Sequence, residues 1–218
     1  MVYHLFKIIK ERRMKLANPK PVKSIEPKLL KISKIEFLEK GYKDASIKLI
    51  CSKAGVTTGA FYKRFKSKDD LFIALNKNLL DNLSNNVVTL FELYKKAQQT
   101  KSIEDIFYAI SVEENYYLNI IFDYYDECKL IICKGFGSKL HEQLEKGIDT
   151  KILNTHNFLQ NVLDKKIDFH LVDLVLKQEV NTFRYILDNN FDKDKAQAFL
   201  SSMNKFYIEG WKLIFNKE

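Results

Sequence analysis

A short stretch of the chain combines hydroxyl, aromatic and cationic side chains at helical spacing. Thr58 and Tyr62 are four residues apart, so on an α-helix they lie on the same side. Lys63 and Arg64 follow directly. Hydroxyl groups and cations on one side of a short helix can anchor phosphates and donate hydrogen bonds to base edges in a major groove. The chemistry expected here is recognition of duplex DNA.

Two short helices must hold these side chains, and the pattern of residues 46–65 predicts a helix-turn-helix. Ser46 and Thr57 are suited to cap the two helices. Gly55 permits the left-handed backbone of a tight turn, and Val56 fills the corner beside it. The residues expected on the inner faces of the two helices are Ile47, Ile50, Cys51, Ala54, Phe61 and Phe65.

The remaining sequence predicts an all-α fold, with an N-terminal three-helix DNA-binding domain joined to a larger C-terminal helical bundle and about nine helices in all. An apolar stripe over 29–38 predicts a first helix that ends at Gly41. Ser67 caps a fourth helix that continues to Leu83. Two last helices are expected at about 168–188 and 194–216. Breaks between helices are expected near 100–102, 135–138, 147–149 and 189–193.

The basic charge of the chain is concentrated at one end. The net charge is +8, but the first 80 residues carry 19 Lys and Arg against 7 Asp and Glu, whereas the remainder carries 17 against 21. This asymmetry favours a polyanion-binding module joined to a body with another task. A basic face that only improves solubility is the alternative.

The motifs of residues 36–72 resemble the DNA-binding domain of the TetR family of transcriptional regulators. The resemblance covers roughly 24–84; a weaker one, over 205–212, is to the closing helix of some members. Its departures are Ile32, Ser33, Glu36 and Cys51, none of which affects the DNA-facing surface. The residues that carry the main resemblance are Phe37, Gly41, Tyr42, Ala54, Gly55, Val56, Gly59, Tyr62, Phe65 and Lys68.

The resemblance implies three segments: a basic N-terminal extension at 1–23, a DNA-binding domain at 24–84 and an effector-binding and dimerisation domain at 85–218. The extension could be a short helix, an unstructured arm, or residues ahead of a true start at Met14. Tyr62 has the alternative role of a packing tyrosine, and Lys48 and Lys68 that of solvated surface lysines. The DNA-binding residues implied are Ser46, Lys48, Thr57, Thr58, Gly59, Ala60, Tyr62, Lys63, Arg64 and Lys68.

The middle of the chain is rich in aromatic residues, which form either ordinary helical core or the wall of an effector pocket. The resemblance favours the pocket, because the family's C-terminal domain usually binds a small effector. If Glu113, Glu114, Asp123 or Asp126 faces inward, a cationic effector is favoured; if all face outward, a neutral or lipid-like one is equally compatible. The pocket residues expected are Tyr116, Tyr117, Phe122, Tyr125 and Phe158.

Apolar stripes on the last two predicted helices favour a four-helix dimer interface. The first stripe runs from Leu171 to Leu187 and the second from Phe199 to Leu213. Gly210 would let two helices approach closely. The interface residues expected are Leu171, Val175, Phe183, Phe199, Met203, Phe206 and Gly210.

Several other classes of protein find no support in the sequence. No apolar run reaches the roughly 20 residues that cross a bilayer, and no export signal is visible. The scattered histidines and three cysteines predict neither a metal site nor a disulfide framework, and no catalytic constellation or cofactor motif is present, so we expect a cytoplasmic protein without enzymatic activity. The function expected is a ligand-responsive repressor that binds a palindromic operator as a homodimer; the alternative is an effector-independent nucleoid or structural DNA-binding protein.

Overall fold

The computed structural model describes residues 26–83, 88–100, 103–162 and 168–215, and the predicted extension at 1–23 lies outside them. Within these residues the chain forms eleven helices and no strand, which confirms the all-α class, with two helices more than the sequence suggested. The helices are α1 Glu26–Asp44, α2 Ile47–Ala54, α3 Thr58–Arg64, α4 Lys68–Leu75, α5 Lys77–Leu83, α6 Val88–Thr100, α7 Ile103–Asp123, α8 Tyr125–Ile132, α9 Lys139–Val162, α10 Phe169–Asp188 and α11 Lys193–Phe215.

Short polar side chains start the helices where the sequence predicts. Ser46, Thr57 and Ser67 each accept a hydrogen bond from a backbone N–H in the first turn of α2, α3 and α4. Asp168 does the same for α10. These bonds satisfy donors that have no partner inside a helix, so the helix starts were readable from residue type alone.

The predicted single helix from Ser67 to Leu83 is wrong, because it divides at Asn76. The Asn76 side chain donates to the carbonyl of Phe72 at 2.7 Å, and its backbone N–H donates to Ile73 at 3.1 Å. An asparagine that bonds the preceding turn competes with the regular ladder, so the helix ends there. A break between α7 and α8 at Tyr124 was also not anticipated.

The break predicted at 147–149 is also wrong, since α9 is continuous from Lys139 to Val162. Gly147 is buried inside it, and Leu144 and Ile148 beside it are 4% and 6% exposed. The burial of these neighbours outweighs the roughly 1 kcal/mol that a glycine costs in a helix.

The first compact unit contains residues 26–83 and also 126–147. The second segment is attached by the backbone of Lys134, which accepts from Tyr42 N at 2.7 Å, and by Lys139 N, which donates to Asp69 at 2.9 Å. Lys34 of α1 adds ion pairs to the start of α8. The compact units of the structure therefore differ from the domains expected from the sequence, in which 126–147 belonged to the C-terminal domain.

An aromatic cluster forms the core of this first unit. The rings of Phe37, Tyr42 and Phe72 lie within 5.9 Å of one another, centroid to centroid. Leu29, Ile50 and Leu71 are 2% exposed or less and complete the packing between α1, α2 and α4. This core fixes the helices that carry the candidate DNA-binding residues.

The second compact unit contains the described residues of 88–125 and 148–215. In it α6 packs along α7, while α11 contacts both α7 and α10. Leu118 of α7 and Ile186 and Leu187 of α10 are fully buried between these helices. Across the described part of the chain, no helix has the length and apolar character needed to cross a bilayer.

Candidate functional site

The turn of the helix-turn-helix has the backbone that the sequence predicts. Gly55 lies in the left-handed region with φ 69° and ψ 33°. Its N–H donates to Ser52 O at 3.1 Å, and Val56 N–H donates to Cys51 O at 3.0 Å. These bonds satisfy the last carbonyls of α2 and direct the chain into α3.

The inner faces of α2 and α3 are packed as expected except at Ile47, which is only half-buried. Ile50, Cys51 and Ala54 are buried on α2, and Phe61 and Phe65 are buried at the α3 end of the motif, all at 4% exposure or less. Because both helices are anchored by these side chains, the orientation of the outer face of α3 is fixed by the core.

The outer face of α3 presents the predicted side chains to solvent. Tyr62 is 56% exposed, and its ring makes an edge contact with the buried ring of Phe61 at 5.0 Å. Thr58 and Lys63 are exposed beside it. Lys48 on α2 is exposed too, and neither it nor Lys63 forms an ion pair within the described residues. Two cations are thus available to an external anion.

The hydroxyl groups that cap α2 and α3 can also donate hydrogen bonds to a phosphate. Ser46 Oγ accepts from Leu49 N at 3.3 Å, and Thr57 Oγ1 accepts from Ala60 N at 3.1 Å. Each hydroxyl still has its proton to donate, and a phosphate oxygen is a suitable acceptor. Gly59 of α3 is exposed, and a Cβ there would meet only Thr57 Oγ1, at 3.9 Å.

Arg64, which was expected to contact DNA, has its guanidinium held by an ion pair within the chain. Nη2 lies 2.6 Å from Oε1 of Glu26 and Nε lies 2.9 Å from Oε2, a two-point ion pair between α3 and the start of α1. Both side chains are about four-fifths buried. Charge-assisted pairs of this geometry are strong, so Arg64 orients α3 against α1.

Lys68 is likewise engaged inside the chain. Its Nζ donates to the carbonyls of Lys43 at 3.1 Å and Ala45 at 3.0 Å, and lies 4.8 Å from the ring centroid of Tyr42. Partial burial lowers the pKa of this ammonium, although Asp44 and Asp69 oppose the shift. Lys68 therefore caps the end of α1, where the helix dipole is negative.

An ion pair that the sequence analysis missed connects α1 to α2. Glu36 is 2% exposed, and Lys53 Nζ lies 3.0 Å from its Oε2. The signal was present, because an acidic residue stands in the apolar stripe of α1. Its partner could not be chosen from sequence, since several lysines are near it along the chain.

The five aromatic residues expected in one effector pocket do not come together. Tyr125 Oη donates to the carbonyl of Leu187 at 3.2 Å, near the end of α10. Phe158 packs in a cluster that includes Val172, near the start of the same helix. Fifteen residues of helix separate those positions by about 22 Å. All five residues are aromatic, but their positions in the sequence do not show which end of α10 each ring contacts.

The other three aromatic residues lie on α7 and have different partners. The Tyr117 ring contacts Phe183 at 6.0 Å, and Phe122 contacts Tyr125 at 5.9 Å. Tyr116 is half-buried, and its buried hydroxyl makes no hydrogen bond with the described residues. These positions therefore belong mainly to the packing of α7.

Two of the four acidic residues in this region face inward. Glu113 and Glu114 are 3% and 5% exposed. Asp123 is exposed, and Asp126 pairs with Lys34 at 2.9 Å in the first unit. The interior of the second unit thus contains carboxyl groups, which is the condition under which a cationic effector is favoured.

Lys151 of α9 neutralises part of this buried charge. Its Nζ lies 3.1 Å from Glu113 and 2.8 Å from Glu179 of α10. Tyr117 Oη donates to Glu113 at 2.6 Å, and Tyr94 Oη donates to it as well. Burial alone would raise the pKa of Glu113, but Lys151 and the two hydroxyls hold it well below its usual range. We call Tyr94, Glu113, Glu114, Lys151 and Glu179 the polar centre.

Glu114 is the exception in the polar centre. Burial raises its pKa to about 8, and the nearby Glu179 adds to the shift, while a hydrogen bond with Asn204 opposes it. One carboxyl oxygen, Oε2, is buried and has no hydrogen-bond partner among the described residues.

The expected dimer interface is divided between surface and core. Leu171 and Phe206 are 37% and 71% exposed, and Leu174, from the same stripe, is 64% exposed. Phe183 does not fit the prediction, because it is 2% exposed and packs against Tyr117. Val175, Phe199, Met203 and Gly210 are half-buried.

Comparison with known proteins adds family and fold to this geometry. The sequence model of the bacterial regulatory proteins of the tetR family matches residues 29–75. The transposon Tn10 TetC protein of Escherichia coli is 36% identical over 93 residues, which are 43% of this chain and 47% of that protein. The chain thus matches about half the length of this curated relative.

Two solved structures resemble the whole chain at low identity. A TetR-like transcriptional regulator from Rhodococcus sp. RHA1 aligns with a TM-score of 0.51 and 17% identity, over 91% of this chain and 100% of that one. The transcriptional regulator FadR from Bacillus subtilis, solved in complex with stearoyl-CoA, aligns with a TM-score of 0.48 and 13% identity, over 88% and 99%. The family model and the TetC protein support a DNA-binding domain of the tetR family of bacterial regulatory proteins at residues 29–75, and the Rhodococcus protein shares the fold of the chain.

Proposed function

We propose that this protein is a cytoplasmic, ligand-responsive transcriptional repressor that binds a palindromic operator as a homodimer. The observation that carries the proposal is the outer face of α3. Thr58, Tyr62 and Lys63 are exposed there on a helix whose opposite face is locked into the core. A rigid helix with exposed hydrogen-bond donors suits the major groove, where base edges are read.

Exposed apolar residues support the homodimer. Leu174 on α10 and Phe206 on α11 are both more than three-fifths exposed. Large apolar side chains left on helix faces mark interaction surfaces. Two copies related by a two-fold axis would cover them and present two α3 helices to successive half-sites.

The polar centre supports the response to a ligand. Its members come from α6, α7, α9 and α10, so a molecule bound there would change the packing of several helices at once. If the bound arrangement disfavours operator binding, linkage requires that operator binding in turn weaken the ligand.

Selection of genomic DNA fragments by the purified protein tests the function. We expect the selected fragments to share an inverted repeat, bound at least 10³-fold more tightly than scrambled duplex, as is usual for specific regulators. A preference below tenfold, without an inverted repeat, would instead favour an effector-independent structural DNA-binding protein.

A further inference from the structure

Glu114 is a buried carboxyl group that forms no ion pair within the described residues. Its residue is 5% exposed, and its Oε2 has no hydrogen-bond partner among the described residues. The carboxyl group of Glu114 does form a hydrogen bond with the side chain of Asn204 on α11. Native proteins rarely leave a buried polar atom unsatisfied, so such an atom calls for an explanation.

Lys151 opposes the rise in the pKa of Glu114, but within the described residues it forms ion pairs only with Glu113 and Glu179. Lys151 places its ammonium 3.1 Å from Glu113 and 2.8 and 2.9 Å from the two oxygens of Glu179. Its donors are therefore used by two other carboxylates. Within the described residues, Lys151 is the one cation that pairs with this group of three acidic residues, and the nearby side chains Tyr94, Tyr207, Thr182 and Asn204 are neutral. The described residues of the polar centre thus contain more carboxyl groups than cations, and one more positive group would reduce this excess.

The surroundings favour an organic cation over a metal ion. Within the described residues, no three His, Cys, Asp or Glu side chains are arranged as metal ligands. Burial raises the pKa of Tyr207, and the nearby Glu114 and Glu179 add to this shift. Tyr207 also packs against the cluster around Trp211. Phe107, Phe158 and Phe169 of that cluster are only half-buried, although they are aromatic. An apolar body could rest on these rings while a charged head reaches the carboxylates.

Tyr116 is not part of this arrangement, although its hydroxyl is also unpartnered among the described residues. Residues two apart on an α-helix lie on nearly opposite faces, so Tyr116 and Glu114 cannot serve one small group.

We propose that the effector of this regulator is an amphiphilic organic cation whose positively charged group binds Glu114 beside Glu179, with its apolar part on the aromatic cluster of Tyr207 and Trp211. The inference rests on the proposed function, because it names the class of ligand for the same response. The cation forms the ion pair that Glu114 lacks within the described residues, and binding displaces the proton that this carboxyl group otherwise holds.

Calorimetry with matched pairs of probes tests the proposal. Hexylammonium and octylammonium are compared with 1-hexanol and 1-octanol, which have the same alkyl chains without charge. The proteins are the wild type, Glu114→Gln and the control Glu209→Gln, which alters an exposed glutamate on α11 that pairs with Lys212. Glutamine resembles a protonated glutamate in size and hydrogen bonding, so the first variant should fold; thermal unfolding checks this.

We expect each ammonium to bind the wild type and Glu209→Gln at least tenfold more tightly than its alcohol, and Glu114→Gln to lose this preference. Repeating the titration at pH 7 in buffers of different ionisation enthalpy should show the release of up to about one proton per cation in the wild type and none in Glu114→Gln. Equal binding of amine and alcohol to the wild type, or an unchanged preference in Glu114→Gln, would overturn the proposal.

Operator titration with and without octylammonium separates this inference from the proposed function. Glu114-dependent binding that leaves operator affinity unchanged would support the cation site and count against its regulatory role. A neutral molecule that releases the operator, with no binding of either ammonium, would preserve the regulator and overturn the cation site.

Discussion

At the scale of single residues, Lys63 and Lys68 have different surroundings although they lie five positions apart. Lys63 lies on α3 and Lys68 is the first residue of α4, and both were expected at DNA. Lys63 is exposed and has no ion pair within the described residues, whereas Lys68 donates to two carbonyls at the end of α1. The two residues should therefore respond differently to substitution.

Replacing Lys63 with alanine should weaken binding to the operator by roughly 1–3 kcal/mol per base contact and change binding to scrambled duplex little. The reason is that an exposed lysine on the outer face of α3 can donate to guanine O6 or N7. Titrations on both duplexes at several salt concentrations measure this. Equal losses on the two duplexes would show that Lys63 contacts phosphate only.

Replacing Lys68 with methionine should lower the free energy of unfolding by about 1–3 kcal/mol, because two carbonyls lose a charged donor. Lys66→Met is the matched control, since Lys66 is exposed two residues away. Urea unfolding compares the three proteins. Unchanged stability, with an equal loss of affinity on operator and scrambled duplex, would assign Lys68 to a phosphate instead.

Glu114 predicts a pH dependence of stability. Its pKa is about 8 in the folded protein against an ordinary value of 4.5, so the folded state holds the proton more tightly than the unfolded state. The resulting stabilisation is complete below pH 4.5 and is lost as the pH rises through 8. Between these values the wild type should lose up to about 1.4 kcal/mol per pH unit relative to Glu114→Gln. Urea unfolding at pH 6, 7, 8 and 9 measures the difference; parallel profiles would contradict it.

At the scale of elements, the ends of the helices are set by a few backbone conformations. Gly41 interrupts α1 with φ 77° and ψ 165°, a region that side chains with a Cβ essentially do not enter. This lets the N–H of Tyr42 reach the carbonyl of Lys134. The kink therefore joins the first helix to the 126–147 segment of the same unit.

Gly41→Ala should destabilise the protein by about 1–3 kcal/mol, because alanine is strained at this backbone conformation and its Cβ would lie 3.4 Å from the carbonyl oxygen of Lys134. Gly59→Ala is the comparison: that glycine lies in α3, and the only neighbour of an added Cβ is 3.9 Å away. We expect the second variant to unfold no more easily than the wild type. Thermal denaturation of both variants measures this, and equal midpoints would refute the role of the Gly41 conformation.

At the scale of the whole molecule, the surface of α10 and α11 is the feature that one copy of the chain leaves unsatisfied. Phe206 and Leu174 are exposed, while Phe183 and Val180 from the same predicted stripes are buried at 2% and 6%. The apolar residues of these helices thus build the core of the second unit and, in the proposed homodimer, also a surface for a second copy.

Phe206→Glu should convert the dimer to monomer without unfolding it, because the side chain is exposed in the single chain but would bring an unpaired charge into the dimer interface. Phe206→Leu, which remains apolar, should stay dimeric. Sedimentation equilibrium distinguishes the two. A Phe206→Glu protein that sediments as a dimer would place the interface elsewhere.

The sequence alone determined the features that depend on neighbouring residues. The caps Ser46, Thr57 and Ser67, the left-handed turn at Gly55 and the buried pair Phe61 and Phe65 are all confirmed. Each depends on hydrogen bonds or side-chain spacing within one or two turns, which the order of residues fixes. This local signal also carried the family resemblance and the all-α class.

Only the tertiary structure decided which partners distant residues would find. Arg64 pairs with Glu26 across 38 positions, the Phe183 ring packs against Tyr117, and Glu114 is buried near Glu179. A periodic pattern shows that a residue faces inward or outward, but the partner depends on how whole helices cross. Burial then determines the chemistry, because a carboxyl group that would be ionised in water holds its proton when packing removes solvent and places another carboxylate nearby.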